Sequence, residues 1–536
     1  MLGLMQEHPL GILAIVRHAE CFHAEKTVTT RTANGLATAS FTQVLANARR
    51  LVSALRSLGV GPGDRVATFC WNHQQHLETY VAVPCMGAVL HTLNIRLHEG
   101  DLAYIVEHAR DKVVIVDASL WPQWEKVAAK VSCVRATIVI EDGAGDGPPG
   151  THDYAKLLGT HSEATDLPPV PENRAAAMCY TSGTTGHPKG VVYSHRSTYL
   201  HTCMLGTVDA LGLCERDTVL AIVPMFHANA WGLPYGCFMW GCNLVLPGRF
   251  MASDALAELI VERGVTFSSG VPTIWIGLLE PLKRAKERLR LTRLACAGSA
   301  VPPLLQRSYR DELGVPLVHA WGMTETSPLA TFAKPLSAHE QCPDDLDSVL
   351  EKQGRAAPGV EIRIVAENGS EAPWDGVSLG EIQVRGNWIA ASYHEDPGSP
   401  ARFSEGWLRT GDVGTIDRRG YVQIADRTKD LVKSGGEWIS SVALEGLIMG
   451  HPAVAEAAVI AIPHPRWAER PIACVVPRSG ARLTKEDVIE FLRPRVAKWW
   501  LPDDVVFIAE VPKTSVGKFD KKVLRERFKD HPTGET

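Results

Sequence analysis

No two of the twelve cysteines stand in a CxxC spacing; the nearest pair is Cys237 and Cys242. That excludes the common structural zinc modules and a disulfide framework, and it suits a reducing cytoplasm. An excess of one charge is also missing. With 55 Lys and Arg against 60 Asp and Glu the net charge is −5, so nothing electrostatic points to nucleic acid. Long apolar runs are scarce. The longest near the start, Gly11 to Val16, is far short of the roughly 20 residues of a membrane span. It has neither a basic lead-in nor a small-residue cleavage site, so no secretory signal is expected. Internal repeats are absent. What is present is an ordinary globular composition on 536 residues, too many for one core, so at least two domains are expected.

Apolar residues at Phe41, Val44, Leu45, Ala48, Leu51, Val52, Leu55 and Leu58 have helical spacing with one buried face. Gly61-Pro62-Gly63-Asp64 ends that helix, and Arg65 to Cys70 reads as a strand. A helix over about His73 to Met86, a strand over Ala88 to Thr92, a helix over Asp101 to Ala109 and a strand over Lys112 to Asp117 follow. This alternation predicts α/β layers around a mainly parallel sheet. Asp142 to Gly150, rich in Pro and Gly, reads as a surface loop. Further buried strands are expected at Val219 to Val223, Asn243 to Leu246, Leu294 to Ala297 and Pro316 to Ala320. Three of these run into chemically distinctive loops: Pro224 to Gly232, Gly298 to Ala300, and Trp321 to Thr326. Ligands in open α/β sheets sit beyond the carboxyl ends of strands, so these loops are expected to wall one site. Past residue 380 short alternating strands take over, at Gly380 to Arg385, Gly414 to Asp417 and Gly420 to Ala425, followed by a compact α+β pattern. The expected fold is a large α/β domain of layered sheets with a β-rich subdomain, residues 1–428, and a small α+β domain, residues 429–536.

The most informative stretch is Tyr180 to Gly190, Tyr-Thr-Ser-Gly-Thr-Thr-Gly-His-Pro-Lys-Gly, between two apolar runs. It reads as strand, glycine-rich loop, strand. Gly183, Gly186 and Gly190 allow the backbone to turn tightly and present N–H groups to an anion. Thr181, Ser182, Thr184 and Thr185 add hydroxyls, and Lys189 adds a mobile positive charge. This is phosphate-handling chemistry, but not the common P-loop, which needs Gly-Lys-Ser/Thr opening a helix. Glu325, beside Thr324 at a strand end, is a carboxylate that can approach a polyphosphate only across a cation, and Mg²⁺ prefers such hard oxygen ligands.

The stretch resembles the signature loop of the adenylate-forming superfamily: acyl-CoA synthetases, luciferases and peptide-synthetase adenylation domains. Trp321 to Glu325, Gly406 to Asp412, Asp426 to Lys429 and Pro512 to Lys518 resemble its other motifs, in order. The likeness is closest to medium- and long-chain fatty acyl-CoA synthetases and methylmercaptopropionate-CoA ligases. It implies ATP, Mg²⁺ and coenzyme A as small molecules. ATP and AMP would then meet Thr181, Ser182, Gly183, Thr184, Thr185, Lys189, Gly298, Ser299, Trp321, Gly322, Thr324, Asp412, Arg427 and Trp438. Glu325 and Thr181 would hold Mg²⁺. His227, Trp231, Gly232 and Gly298 would line the acyl site, with the indole as a gate. Lys518, His227 and Lys433 would be catalytic, Lys429 the hinge of a mobile C-terminal domain, and Gly435 and Gly436 the lining of a CoA tunnel. The superfamily usually has Tyr where Trp321 stands; an indole can still stack on adenine but loses the hydroxyl.

Taken alone, Thr410-Gly411-Asp412 is merely a good turn, His227 and Trp231 suit simple burial, and the basic run Lys283 to Arg290 suits a solvated helix face. The resemblance further implies a cytoplasmic enzyme and a homodimer built through the N-terminal domain. The rival readings are an aryl- or cinnamoyl-CoA ligase, a luciferase-like oxygenase, a carrier-loading adenylation domain, and a non-catalytic nucleotide-binding protein. No carrier domain and no Gly-x-Asp-Ser attachment site is present.

Overall fold

The computed structural model describes residues 1, 3–141, 148–181, 187–339, 343–434, 437–513, 519–529 and 531–532, with backbone alone for 343, 344 and 437. Among these residues, four sheets form the frame. The first runs His152–Asp153, Ala136–Ile140, Asp111–Asp117, Arg65–Phe69, Val89–Thr92, Ala175–Tyr180, Gly190–Ser194 from edge to edge, parallel except for the last pair. The second has a parallel centre of Leu317–Gly322, Arg293–Cys296, Phe267–Gly270, Thr218–Ala221, Asn243–Leu246 and Thr27–Thr32, with antiparallel strands at both edges.

Helices Ile12–Phe22, Phe41–Ser57, Gln74–Cys85, His195–Leu205 and Leu233–Trp240 share one continuous core with both sheets. Helices Ser253–Glu262, Pro272–Arg284 and Pro303–Leu313 share a separate core with strands of the second sheet, and Glu99–Ala109 and Trp121–Ala128 do the same with the first. The result is alternating helix and sheet layers, which explains why the central strands read as unbroken apolar runs. The helix Phe41–Ser57 shows how local sequence sets this up. Ser40 and Gln43 form a reciprocal capping box, and the periodic residues from Phe41 to Leu55 are all buried.

The third sheet is antiparallel: Val360–Val365, Gly380–Gly386, Trp407–Ile416 and Phe403–Ser404, with Val422–Arg427 also paired to Trp407–Ile416. A turn over Thr428, Lys429 and Asp430 then leads to the fourth sheet. That sheet carries the long hairpin Val454–His464 and Ala468–Pro477, with Val432–Ser434, Glu437–Ile439 and the parallel strand Asp504–Phe507. Among the described residues no helix is long and apolar enough to cross a membrane.

Candidate functional site

The glycine-rich stretch does sit between antiparallel strands, with Tyr180 opposite Gly190. The Thr181 N–H donates to the Lys189 carbonyl (2.9 Å), and the Lys189 N–H donates to Thr181 Oγ1 (3.1 Å), which closes the hairpin base. Ser182, Gly183, Thr184 and Thr185 lie outside the described residues. Lys189 Nζ pairs with Asp396 (2.9 Å) and lies 4.9 Å from the centre of the Tyr393 ring. The Tyr393 hydroxyl in turn donates to Glu325 Oε1 (2.5 Å). Tyr393 thus joins two motifs that are far apart in sequence. The carboxylate of Glu325 is only 4% exposed, a hard oxygen donor suited to Mg²⁺. Burial, reinforced by the Glu325 charge, pushes the Tyr393 phenol up, so it stays a donor at neutral pH. The hydrogen bond from Lys189 holds the Asp396 carboxyl below its ordinary range. Neither Tyr393 nor Asp396 was expected. They lie in Ser392-Tyr393-His394-Glu395-Asp396-Pro397-Gly398, which carries only loop signals.

A second group forms around Asp412. The Trp321 indole N–H donates to Asp412 Oδ2 (2.8 Å), and Arg427 Nε lies 3.0 Å from Asp412 Oδ1. Asp412 itself raises the Arg427 guanidinium's affinity for its proton. The turn expected at Thr410-Gly411-Asp412 is instead part of one strand, Trp407–Ile416. Gly411 has φ +73 and a register shift follows at Val413/Gly414, so a strand irregularity re-aims the carboxylate. Gly322 has no substitute here: a Cβ would lie 1.7 Å from the Pro328 carbonyl oxygen. Thr324 and Glu325 form a short 3₁₀ turn, with the Thr324 carbonyl accepting from the Tyr193 hydroxyl (2.8 Å). The Gly298 and Ser299 loop follows the neighbouring strand Arg293–Cys296, with Gly298 at φ +94.

The third group is the segment after Thr218–Ala221. Ala228, Asn229, Ala230 and Trp231 all have positive φ, 42, 52, 50 and 56°, and Gly232 continues at 79°. A left-handed turn of non-glycine residues costs roughly 1–2 kcal/mol per residue, so the surroundings must over-determine it. Thr92 Oγ1 donates to the Phe226 carbonyl (3.3 Å), and Cys179 Sγ donates to Asn229 Oδ1 (3.2 Å). At Gly232 a Cβ would meet His201 Nδ1 at 2.9 Å, so this end of the turn also requires glycine. His227 is half-buried and Trp231 is buried.

The remaining candidates lie on the C-terminal side. Lys433 stands opposite Trp438 across adjacent strands, its Nζ 4.3 Å from the indole ring, and 4.0 Å from Glu367 of the third sheet's neighbourhood. Lys429 is in the turn that leaves Arg427; burial lowers its affinity for a proton. Gly435, Gly436 and Lys518 lie outside the described residues. The basic run from Lys283 is a solvated face, with Lys283 paired to Glu280 and Glu312.

Contacts therefore join the strands flanking the signature stretch to the Thr324-Glu325 turn and to Asn229, and join Trp321 to Asp412. The model of the family described as AMP-binding enzyme matches residues 16–394, and that of the AMP-binding enzyme C-terminal domain matches residues 443–518. The chain is 43% identical over 540 residues to a 3-methylmercaptopropionyl-CoA ligase of Ruegeria lacuscaerulensis, covering 100% of both chains. It is 45% identical over 536 residues to a long-chain-fatty-acid–CoA ligase of Thermus thermophilus, covering 99% of this chain and 98% of that one. Its fold matches ATP-bound MatB from Rhodopseudomonas palustris with a TM-score of 0.84 at 29% identity, over 97% of this chain and 99% of that one. With both family models in chain order and full-length relatives on either side, the chain belongs to the AMP-binding enzyme family of the adenylate-forming superfamily.

Proposed function

We propose that the carboxylate this chain activates is aliphatic, in the medium-to-long-chain range. The activity class is that of an AMP-forming acyl-CoA ligase using ATP, Mg²⁺ and coenzyme A. The aliphatic reading is carried by one observation. From Thr218 to Gly248 the sequence contains no Asp, Glu, Lys or Arg, and within it Met225, Phe226, Trp231, Leu233 and Phe238 are buried around the left-handed turn. A second charged group on the acid would be stranded there, whereas an alkyl chain gains by leaving water.

In the first half-reaction an oxygen of the carboxylate attacks the α-phosphorus of ATP, and pyrophosphate leaves. Lys189 and the stretch Thr181, Ser182, Gly183, Thr184 and Thr185 are assigned to the β- and γ-phosphates. Glu325, oriented by Tyr393, and Thr181 are assigned to Mg²⁺, which when bound supplies neutralisation of phosphate charge. Asp412, steadied by Trp321 and Arg427, is assigned to the ribose hydroxyls. Gly298, Ser299, Gly322 and Thr324 are assigned to the walls around adenine and the α-phosphate. His227, Trp231 and Gly232 flank the acyl group, and Lys518 neutralises charge at the α-phosphate. In the second half-reaction the CoA thiolate attacks the acyl carbonyl and AMP leaves. Trp438 is assigned to ATP and AMP, and rotation at Lys429 would exchange Lys518 for Lys433, Gly435 and Gly436, so that one site runs both steps. Self-association through the N-terminal domain and a cytoplasmic setting belong to the same proposal; light scattering checks the first.

The test is ATP-to-AMP conversion with and without CoA, across straight-chain acids from acetate to palmitate. CoA-dependent AMP production peaking within the medium-to-long range is expected. ADP as product, or AMP without a CoA requirement, overturns the reading. Full-length identity to 3-methylmercaptopropionyl-CoA ligase favours a second reading, a short thioether acid, so 3-methylthiopropionate belongs in the panel.

A further inference from the structure

The strained turn that carries His227 and Trp231 hangs from a residue of the other sheet. Asn72 follows the strand Arg65–Phe69 of the first sheet and is 5% exposed. Its Nδ2 donates to the carbonyls of Ala221 (2.8 Å) and Val223 (2.9 Å), and its Oδ1 accepts from the Met225 N–H (2.7 Å). Two carbonyls and one N–H fix the amide's orientation without ambiguity. The Asn72 carbonyl also accepts from the Gly248 N–H (2.9 Å). One residue therefore holds both ends of the uncharged stretch. Nearby, the Tyr80 hydroxyl donates to the Met225 carbonyl.

Asn72 is itself mounted rigidly. Asp117 accepts from the Trp71 N–H (2.8 Å) with one oxygen and pairs with His73 Nε2 (2.8 Å) with the other, gripping the residues on either side. His76 Nδ1 meets the Trp71 carbonyl (2.9 Å), and its Nε2 meets Thr68 Oγ1 (2.9 Å). Cys70, His73 and Asp117 bring ligand atoms within 4.8 Å of one another, a spacing that could suit a metal. The hydrogen bonds decide otherwise. His73 Nδ1 accepts from the His76 N–H (3.2 Å), so the proton sits on Nε2 and points at Asp117. The trio is a hydrogen-bonded mount for Asn72.

We propose that Asn72 is a positioning residue that sets acyl-chain selectivity, by fixing the backbone from Ala221 to Met225 and hence the turn that presents His227 and Trp231. The inference rests on the reading that this turn borders the acyl group. Asp at this position has the same shape but would set a carboxylate against two carbonyl oxygens. Ala removes all three of these bonds.

The test compares Asn72→Asp, Asn72→Ala and Tyr80→Phe with Trp231→Ala, each in the full-length chain, by kcat and KM over the straight-chain acid series and by KM for ATP. For Asn72→Asp the KM of the preferred acid should rise about tenfold or more, its advantage over shorter acids should shrink about tenfold, and the KM for ATP should move less than about threefold. Tyr80→Phe, which removes one hydroxyl, should shift the same ratio in the same direction by a smaller factor. It carries the test if the Asn72 variants do not fold. An equal loss on every acid, with chain preference intact, overturns the proposal and leaves Asn72 a purely structural residue. If Trp231→Ala also leaves the preference intact, the acyl-site reading itself is what failed.

Discussion

Two buried junctions in this molecule are built from opposite materials. Between the two large sheets, Asn72 meets the uncharged segment that leads into the strained turn, through neutral hydrogen bonds. Where the chain leaves the third sheet, the contacts are ionic. Asp426 accepts from the Ser441 N–H (2.7 Å) and from its hydroxyl, at the start of helix Ser441–Met449. Lys521 Nζ reaches Ser441 Oγ (2.6 Å) and Glu445 (2.7 Å), and Arg525 pairs with Asp430 (2.5 Å) beside the turn at Lys429. Neutral bonds to backbone groups are directional and suit a joint that holds one geometry. Buried charges lose hydration, which offsets much of their attraction, so such a cluster adds little net stability while intact and is costly when one partner is removed. The first junction is neutral and directional, and the second is charged.

The largest expected effect tests the ionic junction. Lys521→Met leaves Glu445 and Asp426 buried without their cation and should destabilise the C-terminal domain by about 3–5 kcal/mol in urea unfolding. Pairing it with Glu445→Leu should restore most of that. If Lys521→Met alone is neutral, the contrast between the junctions is wrong.

The pH dependence separates them by sign. Burial pushes the Glu445 carboxyl up to about 7 despite Lys521. Its folded value exceeds its unfolded one, so its contribution to stability is full below about 4.5 and is lost as pH rises towards 7. Burial lowers His76 to about 3. Its contribution is full above about 6.5 and is lost as pH falls. Hydrogen exchange, corrected for intrinsic rates, should therefore show Ser441–Met449 losing protection as pH rises from about 5 to about 7, while Gln74–Cys85 loses protection as pH falls. Parallel trends would erase the distinction.

Smaller effects sharpen the picture of the site. Trp321→Phe removes the donor to Asp412 while keeping an aromatic face, and should raise the KM for ATP roughly tenfold with little change in chain preference. At the bottom of the scale, Lys283→Ala should leave both the unfolding midpoint and the kinetics unchanged, because its ion pairs lie on the surface.

What was legible in the sequence is what local pattern dictates. The helix Phe41–Ser57 follows from its apolar spacing and its capping pair, and the loops at strand ends follow from the α/β alternation. Asp412 was identified but misread as part of a turn. Thr-Gly-Asp has turn propensity, and pairing with Gly380–Gly386 and Val422–Arg427 overrides it. Tyr393 and Asn72 could not be found that way. Their importance lies in partners 68 and 149 residues distant, and no local spacing records such contacts.

The order of strands in the second sheet has a consequence for how the polypeptide is made. Thr27–Thr32 forms a hairpin with Gly35–Ser40, and its other neighbour is Asn243–Leu246. A two-stranded hairpin alone is marginal in water. During synthesis the earliest strands must therefore wait more than two hundred residues for the segment that completes their layer, since Thr30 lies opposite Leu246. Asn72 waits 151 residues for Val223. A nascent chain released before that point carries apolar surface with nothing to cover it, so an aggregation-exposed stage of folding lasts until Asn243–Leu246 has been made.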